Sequence, residues 1–217
     1  MMALVSSFIG ESMNKPILQK EKSYTFADYF ELSNPTEEVV AEFGFGYELT
    51  KLELPRAELA QPLDRLRAMF YKKLPHISMT SETAKREVMI APILLELLDH
   101  LDLKIDIEYP VFVSERLKGN IDYLVRSQES FVVAEAKKAD MERGFTQLAV
   151  ELIAMDQRVE EKHALIYGAI TVGDLWRFGV LRRQQKLISR DIDSFRVPLD
   201  LEDLFKVLLG ILKPHTP

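Results

Sequence analysis

GNIDYLVRSQESFVVAEAK, residues 119–137, is the stretch that decides how this chain folds. Two runs rich in β-branched and aromatic residues, NIDYLV (120–125) and FVVAEAK (131–137), flank the polar link RSQES. That composition predicts two strands of an antiparallel pair. Each run carries an acid inside an apolar context: Asp122 in the first, Glu135 in the second, with Lys137 two residues further on. Alternate residues of a strand share a face, so Glu135 and Lys137 project together, and Val132, Ala134 and Ala136 take the opposite, buried face. The thirteen residues from Asp122 to Glu135 span a strand, a turn and half of the returning strand, so the two carboxylates can stand side by side.

Charges in such strands are costly unless they pair with each other or meet a cation. An acid two residues before a lysine is weak evidence alone, because about two such triplets arise by chance in this composition. Three occur, at Asp102–Lys104, Glu135–Lys137 and Glu160–Lys162. Only Glu135 is embedded in an apolar strand that follows another acid-bearing strand. From spacing alone, a cross-strand ion pair such as Asp122 with Lys137 and a shared metal site stay equally open.

Upstream, Thr80-Ser81 can cap a helix that runs to about His100, with an irregularity at Pro92. Glu82 lies three and four residues before Lys85 and Arg86, the setting of a solvated face. Glu87 shares its side with Ile90, Ala91 and Leu94 and is the expected core-facing carboxylate; Glu82 is the alternative. IDIEYPVFV (105–113) adds another strand. Downstream, MERGFTQLAVELIAMDQRV (141–159) predicts a helix with Phe145, Leu148, Leu152, Met155 and Val159 on one side. Its polar stripe of Arg143, Gln147, Glu151 and Arg158 reads as a solvent face, or as a site contact through Gln147.

HALIYGAIT (163–171) reads as a buried strand, LWRFGVL (175–181) and KLISRDI (186–192) as a hairpin, and LEDLFKVLLGIL (201–212) as a closing amphipathic helix. Trp176 and Phe178 alternate on one strand and are expected in the core. Arg182, Arg183 and Lys186, with Arg190, form the best basic patch for nucleic acid; a solvated hairpin turn explains them equally well. Residues 1–78 are expected to be an N-terminal extension packing on a core of 79–217. Within it FADYFEL (26–32) and FGYELTKLEL (45–54) read as strands and 56–74 as a helix. The order helix, three strands, helix, strand predicts an α/β fold with a mixed central sheet flanked by helices.

The composition narrows the function. The chain of 217 residues contains no cysteine, which excludes thiolate zinc sites and cysteine nucleophiles and fits a reducing, cytoplasmic setting. No run reaches a membrane span, and the first fifteen residues lack the basic start of a signal peptide. The formal charge of -6 requires any nucleic-acid contact to come from a local patch or from cations held by acids. Four scattered histidines, no glycine-rich phosphate loop and no GxSxG elbow set aside the commonest zinc, nucleotide and serine-hydrolase arrangements.

Over residues 80 to about 182 the chain resembles the PD-(D/E)XK phosphodiesterase superfamily, which includes restriction endonucleases. The resemblance rests on the helix with Glu87, GNIDYLV, FVVAEAK and GFTQLAVEL. It implies a restriction endonuclease-like core and a Mg²⁺-dependent (Mn²⁺ as substitute) nuclease acting on DNA. Asp122, Glu135 and the Ala136 carbonyl would bind the metal, Glu87 would complete the shell, Lys137 would sit by the attacking water, and Gln147 would contact the site. A homodimer or larger complex would follow if both strands are cut. Asn120-Ile121 replaces the proline-containing motif, and Glu151 stands where a subset of members has tyrosine. A catalytically silent copy acting as a binding or assembly subunit is the competing reading.

Overall fold

The computed structural model describes residues 16–19, 21–127, 131–136, 140–160 and 163–213, with backbone alone for 131–136. Lys137 and the first fifteen residues lie outside these. The centre is a mixed sheet in the order β1-β7-β6-β5-β4-β3-β2, with a short β8 (Phe195–Arg196) paired to β6. Its strands are β1 (Gly46–Thr50), β2 (Lys104–Ser114), β3 (Leu117–Arg126), β4 (Phe131–Ala136), β5 (Leu165–Thr171), β6 (Leu175–Arg182) and β7 (Leu187–Asp191). β2, β3 and β4 form an antiparallel meander, β5 runs parallel to β4, and β5, β6 and β7 are antiparallel.

Helices cover both faces, as the apolar strands require. One layer holds α1 (Phe26–Phe30), α2 (Thr36–Ala41) and α6 (Met141–Asp156), packed on Leu124, Ile166, Ile170, Leu181 and Ile188. The other holds α3 (Asp64–Lys73), the helical stretch from 82 to 99 and α7 (Leu201–Leu212), packed on Tyr123, Val125, Trp176, Phe178 and Val180. Trp176 and Phe178 are fully buried, as their alternation predicted.

α6 is the element that fixes the site's second wall. The Asp140 carboxylate accepts from the backbone N–H of Glu142 and Arg143, both at 3.0 Å, and so caps its start. Glycine lets α6 lie close to the sheet. A Cβ at Gly179 would stand 2.7 Å from the Phe145 ring, and one at Gly168 would stand 3.0 Å from Leu148.

The described residues before 79 are woven into both layers: β1 pairs parallel with β7, α1 and α2 lie with α6, and Leu63, Leu66 and Phe70 lie in the opposite core. Two expectations there are corrected. FADYFEL is helix α1, not a strand, because both Thr25 N–H and Thr25 Oγ1 donate to Asp28, at 2.7 and 2.6 Å, and start a helical turn. The helix expected over 56–74 begins only at Asp64, since Pro62 disfavours helical geometry in the residue before it.

Candidate functional site

The site forms where β3, β4 and the 82–99 helical stretch meet. β3 and β4 pair with Tyr123 opposite Ala134 and Leu124 opposite Val133. Continuing that register by one residue sets position 122 against position 135, the juxtaposition their spacing suggested. Position 135 also stands beside Ile170 of β5, a member of the α6-side core. Asp122 is mostly buried, its side chain 17% exposed, and Arg86 Nη1 lies 3.5 Å from Asp122 Oδ1.

Arg86 reaches this place because the helix is irregular. α4 (Glu82–Lys85) leads into a π-helical turn, Arg86–Ile90, and then α5 (Ala91–Glu96). Pro92 carries no N–H and its ring crowds the carbonyl four residues back. The ladder therefore widens by one residue, and the Ala91 N–H donates to the Arg86 carbonyl instead. The extra residue shifts the helix's phase. Met89, Ile90, Ile93 and Leu94 are buried, while Glu87, expected on that stripe, is exposed. Glu82 is half-buried, one α-turn before Arg86 and on its side. The face expectation for Glu87 is thus corrected, and Glu82, the alternative, is the less exposed of the two.

Arg86 touches more than Asp122. Its Nη1 is 3.4 Å from Glu108 Oε1, and its guanidinium lies over the Tyr123 ring at 5.3 Å. Burial works against its charge, but the Tyr123 hydroxyl and the Asp122 and Glu108 carboxylates outweigh it and raise the Arg86 pKa, so it stays cationic. Glu108 occupies the register position across β2 from Asp122, between the pairs Ile107–Tyr123 and Tyr109–Ile121. Its φ is 52°, left-handed backbone in the middle of a strand. The regular alternation of β3 breaks at the same point: Ile121 and Leu124 both belong to the α6-side core, while Tyr123 and Val125 belong to the other. A π turn, a left-handed glutamate and a mostly buried ion pair therefore converge on one spot, as strained elements do at functional sites.

On the opposite wall, the polar stripe of α6 divides. Arg143 and Arg158 are exposed, but Gln147 is 4% exposed and Glu151 is fully buried, with Gln147 Nε2 donating to Glu151 Oε1 at 2.9 Å. The solvent-face reading is corrected for this pair, since both side chains are buried. Their chain neighbours Leu148 and Leu152 are the side chains that face Gly168 of β5.

The basic patch has intramolecular partners. Arg183 Nε donates to Asp156 Oδ1 at 2.5 Å, and its other nitrogens donate to the carbonyls of Asp156, Val159, Glu160 and His163. It caps the end of α6. Arg182 binds Glu48, at 3.3 Å, and the Ser189 hydroxyl. Arg190 is buried in a two-pronged pair with Glu142, whose carboxyl its hydrogen bonds hold below the ordinary range. Of the expected patch Lys186 alone is exposed, in the β6–β7 turn.

The sequence reading missed Arg86 and Glu108. A usable signal was present in Pro92, whose distance from Arg86 marks where the helix must widen.

For a divalent cation the donor chemistry fits. Two carboxylate-bearing positions on adjacent strands and a main-chain carbonyl at position 136 are the hard oxygen donors that Mg²⁺ takes. Among the described residues no group of three or more histidines or acids could hold a metal; the side chain of Glu135 lies outside them. Among the described residues no helix is long and apolar enough to cross a membrane. No family model matches the chain, and no curated protein or solved structure reaches a significant match to it.

Proposed function

We propose that the chain is a metal-dependent nuclease of the PD-(D/E)XK type, with a restriction endonuclease-like core, acting on DNA. The observation that carries this reading is the β3–β4 register, whose last pair, Tyr123 with Ala134, leaves positions 122 and 135 next in line at a backbone irregularity between two helical layers. The helix, antiparallel three-strand meander, helix and parallel strand of residues 82–171 follow the order that the resemblance implies.

Asp122, Glu135 and the Ala136 carbonyl would hold Mg²⁺, which when bound lowers the pKa of a bound water and neutralises charge on the scissile phosphate. Asp122 has little rotational freedom, being mostly buried and held from the helix side by Arg86. Glu82, less exposed than Glu87, would add a carboxylate from the helix. Lys137 would orient the attacking water, and the Gln147–Glu151 pair would stiffen the wall behind position 135. Arg182 and Arg183 serve the fold, which leaves Lys186 as the exposed member of that patch for a phosphate contact.

Incubation of supercoiled and linear duplex DNA, and of RNA, with the protein and Mg²⁺ or Mn²⁺ tests the reading. Cleavage of DNA by the wild type, abolished by chelator and by Glu135→Gln, is the expected result. The Arg86–Asp122 contact favours one competing reading, a silent copy in which arginine stands where the cation would. Absence of cleavage on every substrate, with no metal bound, would establish it.

A further inference from the structure

We propose that Arg86 is a displaceable counter-ion of the candidate site: it holds Asp122 in the cation-free protein and is parked on Glu108 when a divalent cation takes that carboxylate. The inference rests on the nuclease reading and adds a device to the same site. Both carboxylate contacts of Arg86 run through one nitrogen, Nη1, at 3.4 Å to Glu108 and 3.5 Å to Asp122. These distances lie at the long end of ion pairing. They contrast with the close two-pronged grip of Arg190 on Glu142. A guanidinium shared loosely between two carboxylates can shift to one of them by a small rotation. The Tyr123 ring, 5.3 Å away, supports the charge in either position.

Glu108 is built as the parking place. Its side chain is 62% exposed, so it needs no compensation when Arg86 is elsewhere, and its left-handed backbone sets it directly across β2 from Asp122. Glycine would take this backbone more cheaply. The consequence is a competition between two cations for one carboxylate. Arg86 keeps Asp122 ordered and neutralised while the site is empty, and it raises the metal concentration needed to fill it.

Mn²⁺ calorimetry on the full chain, with the fold checked by circular dichroism, tests this through opposed signs. Arg86→Gln is expected to bind Mn²⁺ about tenfold more tightly than the wild type, within the usual range for coupled sites. Arg86→Lys, which keeps the charge without the planar fork, should lie between them. Glu108→Gln should weaken binding several-fold in the wild-type background and leave it unchanged in Arg86→Gln, since Glu108 acts through Arg86. Equal affinity of wild type, Arg86→Gln and Arg86→Lys would overturn the proposal while leaving the metal site standing. An effect of Glu108→Gln that persists in the Arg86→Gln background would also overturn it. Binding by none of the variants would remove the nuclease reading and this proposal with it.

Discussion

Arginines enter the buried parts of this molecule at two places along the sheet, and they are held in different ways. At the β6–β7 hairpin, Arg183 donates to a carboxylate and four main-chain carbonyls, and Arg190 grips Glu142 with two nitrogens. On the side of β3, Arg86 is divided between two carboxylates through a single nitrogen, beside a left-handed glutamate and a widened helix. The first arrangement ties an element down. The second is a set of compromises that contribute little to stability, and such compromises persist where a protein needs a group for something else. A charge in this sheet is therefore weighed by the partners that hold it, and not by its presence alone.

The contrast can be broken most sharply at Asp122. Asp122→Asn should lower Mg²⁺-dependent DNA cleavage by about a thousandfold, the scale of losing a principal electrostatic group in an active site. Urea unfolding should change by less than it does on removal of Arg183, because Arg86 keeps Glu108 as a partner. A large stability loss with unchanged cleavage would reverse the assignment.

Arg183→Ala should do the opposite. Arg183 is 15% exposed and its partner Asp156 is 20% exposed. Removing one member of a mostly buried, multiply bonded pair costs about 3 kcal/mol in urea unfolding, and the metal affinity of the folded protein should not move. A neutral result would mean that α6 needs no cap at its end.

Backbone strain offers a smaller test. Glu108 and Lys186 are the non-glycine residues with left-handed backbone among the described residues, with φ of 52° and 48°. Replacing either by glycine should raise stability by up to about 1 kcal/mol, the left-handed penalty of a side chain. Only Glu108→Gly should alter Mn²⁺ binding, because Lys186 lies in an exposed turn. Equal effects of both on metal would separate the strain at Glu108 from the site.

The smallest effect concerns acid. Hydrogen bonds from Arg190 hold Glu142 below its ordinary 4.5, so the folded state binds its proton less readily than the unfolded chain. Its stabilising contribution is complete above 4.5 and is lost as pH falls through the lowered value. Glu142→Gln should flatten the acid limb of a stability–pH curve by a modest amount, Glu142 being 72% exposed. An unchanged limb would show that Arg190 is held by its burial alone.

Much of the fold could be read in advance, for physical reasons visible in particular elements. α7 matches 201–212 because its apolar period is uninterrupted, and β5 to β7 fall within two residues of expectation because alternation and turn residues agree. α1 could not be read from composition: Phe26, Tyr29 and Phe30 look like strand residues, and the decisive signal is the hydrogen bonding between Thr25 and Asp28. In the site, the antiparallel pairing of β3 with β4 was legible from spacing. The identity of the helical partner was not, since a single added residue at Arg86–Ile90 moves every later side chain by most of a third of a turn. The arginines of the hairpin misled because a cap on main-chain carbonyls has no charge pattern in the sequence.

Titration of Mn²⁺ into the wild type and Asp122→Ala in chelator-treated buffer tests the proposed metal site itself. The expected result is saturable binding by the wild type and its loss in a variant that keeps its circular dichroism. Equal binding by both proteins would contradict it, and so would binding by neither.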